Sequence, residues 1–370
     1  MKPRVLFLLH LPPPIHGSSM IGKYIKDSDI INNNVQANYI NLLASESVNQ
    51  TGKISFKKIK NFISTWVKVF LFLMKKKPDL CYLALTTTGA AFFRDVLLIM
   101  LLKLFRVKRV YHLHNKGVSI KQNNLIYKWL YKYTFKKANV ILLSKILYED
   151  VKDFVKESDI HICPNGIPET DKKIDRLKSK GKRIKLLFLS NLIESKGVFV
   201  LLNALAILNS RGLDFECNFI GGEGDISNED LMSCVKSLNL ERQIFYKGRK
   251  FNNDKDLFFT ESDIFVFPTY YSKECFPLVL LEALKFSLPV VSTREGAISE
   301  IIEDRETGFL VEKQDAKDLA DKIEILIKNE ELRNKMSIKS RIKFVNNYTL
   351  LEFEKRIFKI LNKIKKRNKN

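Results

Sequence analysis

Short apolar runs alternate with stretches of helical period along nearly the whole chain, and this alternation constrains the fold more than any other feature. Arg4–Leu11, Ala37–Leu42, Asp79–Leu85, Arg109–His114 and Asn139–Leu143 read as strands, with amphipathic segments between them. That rhythm belongs to a parallel α/β sheet. It breaks at Pro164-Asn-Gly-Ile-Pro168 and in the polar stretch from Glu169 to Arg183. It restarts with strands at Ile184–Leu189, Phe215–Ile220, Gln243–Tyr246, Asp263–Phe267 and Leu288–Ser292, and with helices such as Val198–Asn209 and Pro277–Phe286. A chain of 370 residues also exceeds one ordinary core. The expected organisation is a Rossmann-like domain over 1–166, a linker over 167–183, a second Rossmann-like domain over 184–345, and a basic helix over 346–370 that packs back toward the first domain. Two doubly wound domains on one linker are expected to leave a cleft at the carboxyl ends of their strands, where ligands of such folds bind.

Several other classes are excluded. Glycine (15 residues) and proline (10) are too sparse for a collagenous or low-complexity chain, and 26 phenylalanines supply more core than disorder allows. The five cysteines are scattered, with no C-x-x-C pair and no histidine at metal-ligand spacing, which argues against a disulfide framework or structural zinc and for a reducing cytosol. Val5 to Leu11 is interrupted by His10 and followed by three prolines with no small-residue cleavage site, so it reads as a buried strand rather than a signal peptide. The run Phe92 to Phe105 carries Arg94, Asp95 and Lys103 and is shorter than the roughly 20 apolar residues a membrane span needs.

The net charge of +22 is unevenly placed. Before Gly181 there are 31 basic and 13 acidic residues, an excess of 18; residues 51–150 alone hold 20 basic and four acidic side chains. They are interleaved with apolar helical segments such as Phe62–Met74, a combination that suits the surface of an anionic membrane. Nucleic acid is the other partner such charge invites, but no recognition helix, RNA-binding aromatic signature or zinc module accompanies it, so none is expected.

Chemistry concentrates in the second half. Glu274 and Glu282 lie eight residues apart, the first in a loop and the second in a helix starting near Pro277, whose first N–H groups, at Leu278 and Val279, lack intrahelical partners and suit a phosphate. Lys196 sits in a strand-to-helix turn before Gly197. A sugar diphosphate asks for such groups: cationic donors at the leaving group and carboxylates at vicinal hydroxyls.

The stretch from Glu274 to Val291, the following Ser-Thr-Arg-Glu-Gly-Ala-Ile-Ser-Glu-Ile-Ile, and Thr307-Gly-Phe-Leu-Val resemble the signature of the retaining glycosyltransferases of family 4, which have the two-domain GT-B fold. Phe188-Leu-Ser-Asn-Leu-Ile-Glu-Ser-Lys-Gly197 and Ile162-Cys-Pro-Asn-Gly-Ile167 look like that family's diphosphate turn and hinge. The resemblance implies that Glu274 holds donor-sugar hydroxyls, Glu282 grips the ribose and Lys196 neutralises the diphosphate. It places Phe276 and Leu278 at the donor, and His114, at the end of a strand in the first domain, near the transferred sugar. His16 and Gly17 would form a tight turn approaching the diphosphate through main-chain N–H groups. There are departures: Asn191 stands where the family has an arginine, with Arg249 as the compensating cation, Pro277 stands for a glycine, and Ser287 for another.

The implied activity is retaining transfer of a sugar from a nucleotide diphosphate to a lipid-linked or saccharide acceptor in bacterial surface polysaccharide synthesis, at the inner face of the cytoplasmic membrane and with no cofactor. Asp27-Ser-Asp29 and Asp254-Lys-Asp256 imitate a metal-binding Asp-x-Asp but do not end a strand, so both are read as solvated and no essential metal is expected. The alternatives are a GT-B sugar-nucleotide epimerase, which would turn over donor without acceptor, and a non-catalytic basic membrane-surface or nucleic-acid-binding protein, which no nucleotide sugar would protect from unfolding.

Overall fold

The computed structural model describes residues 2–42, 56–170 and 183–366. Of the expected linker, 171–182 lies outside the described residues. The chain divides into two compact units, one formed by 1–166 with 350–370 and the other by 167–349.

The first unit opens with β1 (Arg4–Leu9), α1 (Gly17–Asp27), α2 (Asp29–Asn34) and β2 (Gln36–Asn41). It continues through α3 (Phe56–Lys75), β3 (Leu80–Leu85), α4 (Gly89–Leu104), β4 (Arg109–Leu113), α5 (Val118–Lys121) and α6 (Leu125–Phe135), and ends its sheet with β5 (Asn139–Leu142) and β6 (Ile160–Ile162). All pairings are parallel, in the order β2-β1-β3-β4-β5-β6. Strands covered on both faces must be apolar on both, and β3 and β4 are buried at every position. Leu6, Leu8, Leu83, Leu85, Tyr111 and Leu142 join a core with α3, α4 and α6, while Phe7 stacks on Tyr39 with ring centroids 5.0 Å apart.

The second unit holds β7 (Ile184–Leu189), α7 (Val198–Ser210), β8 (Phe215–Ile220), α8 (Asn228–Ser237), β9 (Ile244–Tyr246) and α9 (Asn252–Glu261). Then come β10 (Ile264–Phe267), α10 (Leu278–Lys285), β11 (Val290–Thr293), α11 (Ile298–Ile301) and β12 (Gly308–Val311), followed by α12 (Ala316–Lys328) and α13 (Glu330–Asn347). Its parallel order is β12-β11-β10-β7-β8-β9. The last helix, α14 (Leu350–Lys366), belongs to the first unit, where it packs against α2. Phe353, Ile357, Ile360, Leu361 and Ile364 make its buried stripe at helical spacing, and the basic residues take the remaining faces.

Both sheets are doubly wound, as the alternation predicts. The expected strands form with ends within two residues of those expected, mostly shorter, with β2 beginning one residue earlier and β11 ending one residue later. Two further strands were not anticipated: β6, of three residues, and β12, which the Thr-Gly pair made read as a turn. Gly308 is required inside β12 because a Cβ there would lie 1.9 Å from the carbonyl oxygen of Val290. Among the described residues no helix is long and apolar enough to cross a membrane.

Candidate active site

In each sheet the strand order reverses at one point, between β1 and β3 in the first unit and between β7 and β10 in the second. At such a point the following loops turn to opposite sides and leave a crevice at the strand ends. Lys196 and Glu274 of the second unit lie in the loops at that point, and His16 of the first unit follows β1; the other expected residues stand on neighbouring elements.

In the second unit, β7 runs into Asn191 and the single 3-10 turn Glu194–Lys196, and α7 follows. Gly197 joins turn to helix in the left-handed region, at φ 89°, and a Cβ on it would lie 2.3 Å from the Pro268 carbonyl oxygen, so only glycine lets this loop lie against the end of β10. The segment after β10 is pinned to the same turn: the Tyr270 N–H donates to the Ser195 carbonyl at 2.8 Å, and the Glu274 N–H to the Tyr271 carbonyl at 2.8 Å. This brings the Lys196 ammonium onto the Glu274 carboxylate. The lysine also lies 4.6 Å from the Tyr271 ring centroid. Glu274 is buried, and Gly296, after β11, approaches its backbone so closely that a Cβ would stand 2.4 Å from its carbonyl oxygen. Both expected residues thus sit at the switch point, bound to each other.

Pro277 is the N-cap of α10 rather than its first helical residue, with ψ 117°. The expectation that Leu278 and Val279 present free N–H groups is unaffected, because the first return bond runs from the Leu280 N–H to the Pro277 carbonyl, at 3.2 Å. The Phe276 ring is buried edge-on against Tyr348, with centroids 6.1 Å apart, so its side chain is packed inward. Ser287 adopts φ 57° just after α10, the left-handed conformation in which a glycine is usual.

Glu282 is held by Lys255 of α9, Nζ to Oε1 at 2.5 Å. Lys255 is the middle residue of one aspartate triplet, and the third, Asp256, is not solvated as expected: it is mostly buried and lies 4.0 Å from Lys285. Asp27 of the other triplet is exposed and paired with Lys23 at 2.6 Å. Among the described residues no cluster of three histidine, cysteine or acidic side chains is arranged to hold a metal ion. Asn191 and Arg249 meet at Gly222, whose N–H donates to Asn191 Oδ1 at 3.2 Å and whose Cα is covered by the Arg249 guanidinium.

In the first unit, His16 caps α1 by accepting from the Ser19 N–H at 3.3 Å. Gly17 is the first residue of α1 and has no positive φ, which corrects the expected tight glycine turn: the N–H groups here belong to a helix start. Ser18 Oγ bridges His16 Nδ1 at 3.2 Å and His10 Nδ1 at 3.3 Å. His114 follows β4 and lies against His112, ring centroids 4.1 Å apart, while His112 pairs with the Tyr82 hydroxyl. Burial holds His10, His112 and His114 below the ordinary imidazole pKa, His114 down to about 3, with the Arg94 charge adding to the effect at His10 and the neighbouring histidines at all three. They are neutral at pH 7. His10, Tyr271 and Lys255 were not foreseen as part of these constellations, since each is joined to its partners by the folded topology; Ser18, two residues from His16, bears no motif that marks it.

Residues 169–343 match the sequence family described as Glycosyl transferases group 1. The chain is 29% identical over 232 residues to the capsular polysaccharide biosynthesis glycosyltransferase CapM of Staphylococcus aureus, covering 58% of this chain and 59% of that one. It is 28% identical over 246 residues to N-acetyl-alpha-D-glucosaminyl L-malate synthase of Bacillus anthracis, covering 64% of this chain and 62% of the relative. The matched stretches thus span about 60% of these relatives' lengths. Among solved structures, Anabaena HepE in complex with UDP aligns over 98% of this chain and 100% of its own, at TM-score 0.76 and 17% identity. The sucrose-phosphate synthase of Thermosynechococcus elongatus aligns over 98% of this chain and 99% of its own, at TM-score 0.72 and 16% identity. The chain has the GT-B fold, and most of its second unit matches the glycosyl transferases of group 1.

Proposed function

We propose that the protein is a retaining glycosyltransferase that moves a sugar from a nucleotide diphosphate to a lipid-linked or saccharide acceptor in cell-surface polysaccharide synthesis. The observation that carries this reading is the Lys196–Glu274 pair at the switch point of the second sheet, beside the free N–H groups at the start of α10. Lys196 and those N–H groups neutralise the departing diphosphate, which makes the reaction independent of a metal and insensitive to chelator. Glu274 exchanges Lys196 for sugar hydroxyls when donor binds, and Glu282, fixed by Lys255, holds the ribose. The attack is front-face: positive charge develops at the anomeric carbon and the leaving phosphate oxygen accepts the acceptor's proton, so no protein nucleophile is needed.

The relatives named for capsular polysaccharide synthesis support the polysaccharide assignment, and HepE, captured with UDP, supports a nucleotide donor. The excess of 18 positive charges before Gly181 supports action as a peripheral protein on the inner face of the cytoplasmic membrane. A thermal-shift panel of nucleotide sugars, followed by turnover with and without a lipid-linked acceptor, tests the reading. One or more donors raise the unfolding temperature, and turnover requires acceptor. Protection by none of them removes the donor site, and turnover without acceptor makes the protein an epimerase or hydrolase.

A further inference from the structure

The helices on one side of the first unit's sheet carry apolar side chains on both faces. Inward, Val69 and Leu73 of α3, Phe92 and Leu102 of α4, and Leu130 and Tyr131 of α6 enter one core. Neighbouring helices also touch directly, Phe70 beside Phe105 at 5.9 Å and Phe93 beside Tyr127 at 5.3 Å between ring centroids. Outward, α3 presents Ile63, Val67, Leu71 and Met74, at steps of four, four and three, and α4 presents Phe93, Leu97, Met100 and Leu104, at steps of four, three and four. These eight side chains are between 40% and 72% exposed, and Trp129 of α6 is 65% exposed. Single exposed apolar residues are ordinary in any protein, but stripes in helical register on neighbouring helices are the kind of feature that marks an interaction surface.

The charge around the patch selects the partner. From Lys60 to Lys137 there are 16 basic residues and two acidic ones. Asp95 is fully buried against Arg94, and Asp79 is matched by Arg4 at 3.6 Å. The exposed surface of α3, α4 and α6 therefore carries no carboxylate, while Lys75 ends α3 with Lys76 and Lys77 directly after it, and Lys128 and Lys132 flank Trp129. A second copy would set like charge against like charge. An anionic bilayer satisfies both components, taking apolar side chains at the acyl boundary, lysines among the headgroups and an indole at the interface.

We propose that the outward face of α3, α4 and α6 is the surface by which the protein docks on an anionic membrane. This rests on the membrane-surface reading above and assigns it to named residues. The test is co-sedimentation of the full chain with vesicles of phosphatidylcholine alone or mixed with phosphatidylglycerol, across a salt series, with donor protection from unfolding measured on the same preparations. Wild type binds the mixed vesicles, and binding weakens with salt. Leu97→Ser/Met100→Ser/Trp129→Ser and Lys75→Gln/Lys76→Gln/Lys77→Gln each weaken it by about tenfold or more, with donor protection unchanged because these side chains lie in the other unit, on its surface. Mixed-vesicle binding that both variants retain in full overturns this face while leaving the membrane reading standing. Failure of wild type to bind, with donor protection intact, removes the membrane reading and leaves the donor site. A wild-type dimer in light scattering that the triple serine variant converts to monomer assigns the face to self-association, and binding to RNA in place of vesicles assigns it to nucleic acid; either result overturns the proposal.

Discussion

Lys196 and Glu274, 78 residues apart, form an ion pair between the turns that follow β7 and β10, the two strands at which the order of the second sheet reverses. Neither turn carries a site alone. The pair keeps two opposite charges matched in a mostly buried position, and on the proposed function a ligand with its own negative and hydroxyl groups separates them. Glu274→Gln keeps the shape and a hydrogen bond to Lys196 but removes the charge. Steady-state kinetics should show turnover reduced by about 10²-fold or more, with the unfolding midpoint little changed. Wild-type turnover in a folded Glu274→Gln protein removes the carboxylate from the donor site.

Lys255 reaches from α9 to hold Glu282 on α10. A carboxylate that grips a ribose works best when its rotamer is already set, and this lysine sets it. If Glu282 holds the ribose as proposed, Lys255→Met should raise the donor KM several-fold, roughly threefold to tenfold, with little change in kcat, because that contact would be equal in the ground and transition states. An equal fall in kcat with KM unchanged would instead place Lys255 at the reacting centre.

The two sheets were legible because each strand is a short apolar run between helical segments, and the period of such runs survives without tertiary information. β12 was not, since Thr307-Gly308 carries a turn's composition while serving a close strand approach. The motif residues around Glu274 were legible for their spacing, but their partners were not. Lys255 stood in the sequence as the centre of an aspartate triplet, and nothing local says that its ammonium turns to a glutamate 27 residues away. The outward stripes of α3 and α4 escaped for a related reason. α4 is apolar nearly all round and shows no preferred face, while α3 intersperses lysines with its apolar positions, so only packing reveals which apolar residues are left outside.

His10, His112 and His114 are neutral in the folded protein, because burial lowers their affinity for protons. In the unfolded chain each titrates near 6.5. Below that pH the unfolded state binds protons that the folded state refuses, so stability declines as pH falls; above it these groups contribute no slope. For His114 the decline extends from about 6.5 down to about 3, at up to about 1.4 kcal/mol per pH unit. Urea midpoints between pH 7.5 and 5 should fall, and His114→Asn should flatten the fall. The window lies above the ordinary carboxylate range, so a flat wild-type profile there counts against three buried neutral imidazoles.

Arg249 has no hydrogen bond or ion pair among the described residues, yet its guanidinium covers Gly222 so closely that a Cβ there would lie 2.2 Å from Nη2. Asn191 Oδ1 accepts from the N–H of the same glycine. The side chain standing where the family resemblance expects a diphosphate-binding arginine is thus occupied with the backbone, and an uncommitted arginine from the turn after β9 sits beside it. On the proposed function, Arg249 is the candidate for the missing cation at the diphosphate, alongside Lys196. Loss of a charge-assisted bond of about 1.5–3 kcal/mol corresponds to about tenfold or more in affinity. Calorimetry with the nucleoside diphosphate that best protects the protein should show that loss in Arg249→Ala and a smaller one in Arg249→Lys, which keeps the charge without the planar fork. Gly222→Ala should act in the same direction by displacing the guanidinium. Introducing Asn191→Arg into Arg249→Ala should recover affinity, because it returns the positive charge to the turn after β7. Unchanged affinity in Arg249→Ala would assign the diphosphate to Lys196 and the start of α10 alone.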